Sequence, residues 1–230
     1  MDFRDRHIVV TGGTGALGTA VVETLIGAGA ICHVPYLHEG EAQHFRLRDN
    51  KSVKLSKAGD LADEAVVGSV YQGISPLWAS IHIAGGFAFG ALREASVATI
   101  RQQIDMNLMS CALCCRAAVG AMPGGGRIVN VSARAGVEWR SGANMVAYTA
   151  AKAAVAALTV ALSEEVAKDG ILVNAVAPSI MDTAINRNSM PKADYALWPK
   201  VEEVAATIAF LASPENRVTR GAVVPVYGKS

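Results

Sequence analysis

Apolar residues fall along this chain in two alternating patterns. Short runs without apolar/polar alternation are separated by longer stretches in which apolar residues return every three or four positions. The first run, residues 7–10, is rich in β-branched side chains and predicts a strand. Residues 15–28 follow with Leu17, Val21, Val22, Leu25 and Ile26 on one side, which predicts a helix. Gly27-Ala-Gly29 ends that helix. Residues 31–36 predict a second strand, with Pro35 placing its end beyond regular pairing. Further strands are predicted at 52–56, 78–83, 127–131, 171–176 and 222–226, and helices at 62–71, 97–121, 145–168 and 201–212. Strands that are apolar throughout are covered on both faces. Their alternation with helices implies an α/β fold: a doubly wound parallel sheet of about seven strands with helices on both faces. Residues 36–51 and 183–200 show neither pattern and are predicted to be irregular. The second of these follows the sixth strand, where open α/β sheets bind ligands, and is a candidate substrate lid.

Composition narrows the class of partner. A chain of 230 residues, 51% hydrophobic and 18% charged, buries a sizeable core and predicts one domain over 1–230, since no repeat, low-complexity tract or linker divides it. The formal charge of +1 and the lack of a basic tract argue against nucleic acid and for a small-molecule partner. The charged N-terminus runs straight into the first strand, unlike a secretory signal, and the apolar stretch 153–162 is too short to span a bilayer. A cytoplasmic location without membrane attachment is expected. Cys32, Cys111, Cys114 and Cys115 lack a second ligand group at zinc-site spacing and are expected to be reduced, buried and metal-free.

Thr11-Gly-Gly-Thr-Gly-Ala-Leu-Gly18 stands between the first strand and the first helix. A phosphate needs backbone N–H groups at close range and a helix N-terminus pointing at it. Glycines in that turn leave the backbone free to approach a pyrophosphate, so Gly12, Thr14, Gly15, Ala16, Leu17 and Gly18 are candidate dinucleotide contacts in a Rossmann-type domain. Far downstream, Tyr148 and Lys152 are four apart on a predicted helix and share a face. A phenol ordinarily titrates near pH 10, and an adjacent ammonium would favour its phenolate, bringing proton exchange toward neutrality. The pair therefore reads as an acid/base for hydride chemistry.

These motifs, with Gly59-Asp60-Leu61, Ala84-Gly85-Gly86, Asn107, Arg127-Ile-Val-Asn-Val-Ser132 and Asn174-Ala-Val-Ala-Pro178 in this order, resemble the short-chain dehydrogenase/reductase family over nearly the whole chain. The resemblance implies an NAD(P)-dependent oxidoreductase. It implies that Tyr148 is the proton donor or acceptor, that Lys152 holds the nicotinamide ribose and that Asn107 steadies a water chain to Lys152. By the same resemblance Asp60 and Leu61 lie near the adenine, Ala84, Gly85 and Gly86 line the cofactor, and Ser179, Ile180 and Thr183 approach the carboxamide. The family's substrate-polarising serine falls at Ala133, so either Ser132 takes over its hydrogen bond or the site works without one. The resemblance also implies that predicted helices 97–121 and 145–168 form the seam of a homodimer or homotetramer.

Two features bear on cofactor and substrate. An acid at the end of the second strand would favour NAD and a base NADP, but Tyr36 occupies that position. His38, Arg46 and Arg48 are the nearby basic side chains, which leaves NAD or NADP open. Ile83-Ala84-Gly85, Pro178-Ser179 and the stretch from Met181 to Trp198 resemble the dihydropteridine reductase branch, which implies reduction of a quinonoid dihydropterin. The alternatives are a ketone or 3-oxoacyl reductase or alcohol dehydrogenase, and a non-catalytic dinucleotide sensor or scaffold.

Overall fold

The computed structural model describes all 230 residues. Seven parallel strands form one sheet: β1 (His7–Thr11), β2 (Ile31–Tyr36), β3 (Val53–Lys57), β4 (Leu77–His82), β5 (Gly126–Val131), β6 (Ile171–Pro178) and β7 (Val223–Val226). Their order is β3-β2-β1-β4-β5-β6-β7. From β1 the chain winds first outward to β2 and β3, then crosses back to β4 on the other side. Loops at the carboxyl ends of β1 and β4 therefore diverge and leave a crevice. Pro35 is tolerated because pairing of β2 with β1 stops at His33 while pairing with β3 continues to Tyr36.

Helices cover both faces, which is why the strands lack alternation. On one side α1 (Ala16–Gly27) and α9 (Val201–Ala212) seal a core in which Ile8 and Val10 meet Val21, Leu25 and Ile208. On the other, α3 (Glu64–Tyr71), α5 (Ser110–Gly120) and α7 (Val146–Glu165) pack on Val9, Ile128 and Val173. Successive residues of β1 thus point into different cores.

Several expectations are revised. The segment 36–51 contains α2 (Glu39–His44), and 183–200 contains α8 (Ala184–Ser189) and a 3₁₀ turn, Tyr195–Leu197. The predicted helix 97–121 is α4 (Val97–Ile104) joined to α5 through a π-helical turn, Asp105–Met109. The apolar stretch read as too short for a bilayer belongs to α7, whose 20 residues and mean hydropathy of 1.5 are long and apolar enough to cross one. Here α7 is a layer of the α/β fold against β5 and β6, with Lys152, Thr159 and Ser163 buried. A four-residue helix, α6 (Arg134–Val137), lies between β5 and α7.

Candidate functional site

The glycine turn is shaped by contacts that exclude side chains. Gly12 has φ of +66°, and a Cβ there would come within 2.7 Å of the Ala84 amide nitrogen. A Cβ on Gly18 would overlap the Gly12 carbonyl oxygen, and one on Gly13 would lie 2.8 Å from Val34 Cγ1. Gly15, the N-cap of α1, is different: its nearest neighbour would be 3.4 Å away, and no side chain caps the first turn. The first amides of α1 are left facing a cavity, as an anion would require.

That cavity, about 460 Å³, runs along the carboxyl edge of the sheet. Gly12, Thr14, Gly15, Ala16, Leu17 and Gly18 form one wall; Tyr36, Asp60, Leu61, Ala84 and Gly85 lie along the rest. A backbone-lined cradle continuous from β2 to β4 fits an extended dinucleotide. Sequence reasoning missed two side chains here. Thr11 Oγ1 accepts from the Ala84 amide at 3.4 Å, fastening the β1 and β4 loops together. Glu41 on α2 also lines the cavity. Its segment was read as irregular, and the usable signal was two acids, Glu39 and Glu41, in the first turn of a short helix. The basic candidates lie elsewhere: Arg46 pairs with Glu23, Arg48 with Asp49, and neither these arginines nor His38 lines the cavity.

The floor beneath Gly85 is built by the π turn, a feature common at functional positions. Asn107, fully buried, donates to the carbonyls of Gly86 at 2.9 Å and Gln103 at 3.0 Å, and accepts from the Gly86 amide at 3.2 Å. A Cβ on Gly85 would lie 2.6 Å from Asn107 Oδ1 and 3.4 Å from Lys152 Nζ. The lysine therefore sits just behind the cavity floor. Its ammonium donates to the Val131 carbonyl at 2.8 Å, and burial pulls it down to about 8.

Tyr148, one turn earlier on α7, is half-buried and meets the Phe87 ring edge-on at 5.0 Å between centroids. Burial pushes its phenol up to about 12. The sequence predicts the opposite direction, on the premise that Lys152 favours the phenolate. In the structure desolvation dominates, and the ammonium is engaged by Val131. Ser132 is buried, and its hydroxyl donates to the Lys152 carbonyl at 2.7 Å. It ties β5 to α7 and does not face outward, while the neighbouring Ala133 brings no polar group.

The corner after β6 stands apart from the cavity. Ser179 Oγ donates to the Tyr227 carbonyl at 2.9 Å and accepts from Ser230 Oγ at 2.8 Å. Thr183 caps α8 by accepting from the Asn186 amide at 3.2 Å, and Ile180 is exposed. None of these three residues, nor Gly86, is part of the cavity wall.

The cysteines are buried and unbridged. His82 comes beside Cys111 and Cys115, a grouping hidden in sequence because the three residues lie on β4 and α5. The His82 ring already bonds Ser80 Oγ through Nε2 and Asn130 Oδ1 through Nδ1, each at 2.8 Å. Both ring nitrogens are engaged within a buried polar network.

A backbone-lined cavity at the carboxyl edge of the sheet, with a lysine of α7 behind its floor and a tyrosine one turn away, suits an NAD(P)-dependent oxidoreductase. The chain belongs to the short-chain dehydrogenase/reductase family, matching the family described as short chain dehydrogenase over residues 6–194, and its cofactor is NAD or NADP. It is 34% identical to cis-4-hydroxycyclohexanecarboxylate dehydrogenase of Sinomonas cyclohexanicum, covering 98% of this chain and 96% of that protein. It is 30% identical to 2,3-dihydroxy-2,3-dihydro-p-cumate dehydrogenase of Pseudomonas putida, covering 96% and 93%. A crystal structure of a blue fluorescent protein from a metagenomic library, in complex with NADPH, superposes with a TM-score of 0.90 at 25% identity, covering 100% and 99% of the two chains.

Proposed function

We propose that this enzyme interconverts a secondary alcohol and a ketone on a small ring compound, with Tyr148 as the proton donor and acceptor. The observation that supports the reading is the approach of Lys152 Nζ, one helical turn from Tyr148 on α7, to Gly85 in the cavity wall. The nicotinamide, when bound, supplies or accepts the hydride. Tyr148 is held as the neutral phenol near neutral pH, the form that protonates a carbonyl oxygen as its carbon receives hydride. The Lys152 ammonium then offsets the phenolate charge left behind. Asn107 keeps the 84–86 loop flat against the cavity, and Ser132 positions the Lys152 backbone.

Support for the ring substrate comes from the relatives, whose names specify a hydroxycyclohexanecarboxylate and a dihydroxy-dihydro-p-cumate. The apolar Phe87 beside Tyr148, with Phe89 against Phe87, suits such a ring. Residues 183–200 are proposed as the lid, its base closed by the bridge between Asp182 and Lys200. A second reading, reduction of a quinonoid dihydropterin, is favoured by Ala133: a conjugated imine accepts hydride with less polarisation than a ketone needs. Nicotinamide absorbance assays of the purified protein with cyclohexanol carboxylates, their ketones and quinonoid dihydropterin separate the two. Turnover of the carbocyclic pair with an inert pterin is expected; the reverse result would replace the first reading with the second.

A further inference from the structure

We infer that Glu41 selects NAD(H) against NADP(H). This rests on the assignment of a nicotinamide dinucleotide to the cavity at the carboxyl edge. The position that an acid would usually occupy at the end of β2 is Tyr36, so the strand itself carries no selector. The short helix that follows supplies one. Glu41 Oε2 accepts from the Leu37 amide at 3.2 Å and from Thr14 Oγ1 at 3.4 Å. One carboxylate oxygen is thereby pinned between the chain leaving β2 and the glycine turn, at the adenosine end of the cradle.

The charge around it is one-sided. Glu41 and Asp60 are the only ionisable carboxylates or cations among the cavity's lining residues, and both are acids. No cation pairs with Glu41, whereas its neighbour Glu39 is bound by Lys57 at 2.8 Å. Arg46 and Arg48, the arginines within reach in sequence, are committed to Glu23 and to Asp49 with the Gln43 carbonyl. A ribose 2′-hydroxyl is a donor and finds a fixed acceptor there. A 2′-phosphate is an acceptor carrying net negative charge, and it meets a carboxylate with no compensating cation.

The test is equilibrium binding of NADH and NADPH to the native protein and to Glu41→Gln, by titration calorimetry in the absence of substrate. Glutamine keeps the length and an acceptor while removing the charge. NADH should bind native protein about tenfold or more tightly than NADPH, and Glu41→Gln should narrow the ratio by a similar factor, chiefly by tightening NADPH. Raising ionic strength should tighten NADPH relative to NADH in the native protein and move the variant's ratio less. Equal affinities in the native protein, or a ratio that Glu41→Gln does not change, would overturn the assignment of Glu41. Failure of both dinucleotides to bind would instead overturn the cofactor assignment on which it rests.

Discussion

Lys152 brings an ammonium into a site almost sealed from water, and its energetics are measurable apart from catalysis. Burial lowers it from an ordinary 10.5 to about 8. Below pH 8 the lysine is charged in both folded and unfolded chains, and the folded state carries the cost of burying that charge. Between pH 8 and 10.5 the folded lysine is already neutral while the unfolded one still binds its proton. Stability therefore rises with pH through this window, by roughly 3 kcal/mol. Lys152→Met should lack that rise, so its stability relative to the native protein should fall as pH goes from 7.5 to 10.5. Chemical denaturation at both values checks this, and parallel pH curves would contradict it. At this scale the sequence singled out Tyr148, Lys152 and Asn107 by spacing and resemblance. It could not supply the direction of the Tyr148 shift, which depends on how much apolar structure surrounds the phenol, nor the partner of the Ser132 hydroxyl, which lies 20 residues downstream.

Among the elements, those with a full hydrophobic period were legible and the short ones were not. α1 shows its face through Leu17, Val21 and Leu25, whereas six residues of α2 or α8 contain less than two helical turns and bury nothing that would repeat. The π turn was hidden because the sequence around Asn107 keeps a helical pattern throughout; what marks it is the Ser110 backbone amide donating to the Asp105 carbonyl, five residues back. The glycine turn joining β1 to α1 makes a sharper prediction. Gly18→Ala drives a methyl into the Gly12 carbonyl and must displace the turn, while Gly15→Ala meets only ordinary contact. In urea denaturation Gly18→Ala should cost on the order of 2 kcal/mol or more and Gly15→Ala much less. Both should weaken dinucleotide binding, the first by deforming the cradle and the second by filling it. Equal stability losses would place the constraint elsewhere.

For the whole molecule, alternation of strands and helices was enough to imply a doubly wound parallel sheet, because parallel strands need crossovers and right-handed crossovers leave few topologies. The strand order, and with it the crevice between β1 and β4, came from the structure. The outer face of α7 exposes Val146, Val160 and small residues such as Ala157 beyond what the sheet covers. We propose this face as the seam of a homo-oligomer, and Val160→Glu should then shift the molar mass in light scattering toward the monomer. An unchanged mass would place any seam elsewhere.

The central claim is that the cavity and Tyr148 act together, one holding the cofactor and the other exchanging the proton. Nicotinamide absorbance during turnover of a cyclic secondary alcohol or its ketone, compared between the native protein and Tyr148→Phe with cofactor affinity titrated in parallel, tests it most directly. The account predicts a rate lower by about 100- to 10,000-fold in the variant with cofactor affinity retained. Undiminished turnover by Tyr148→Phe would contradict it.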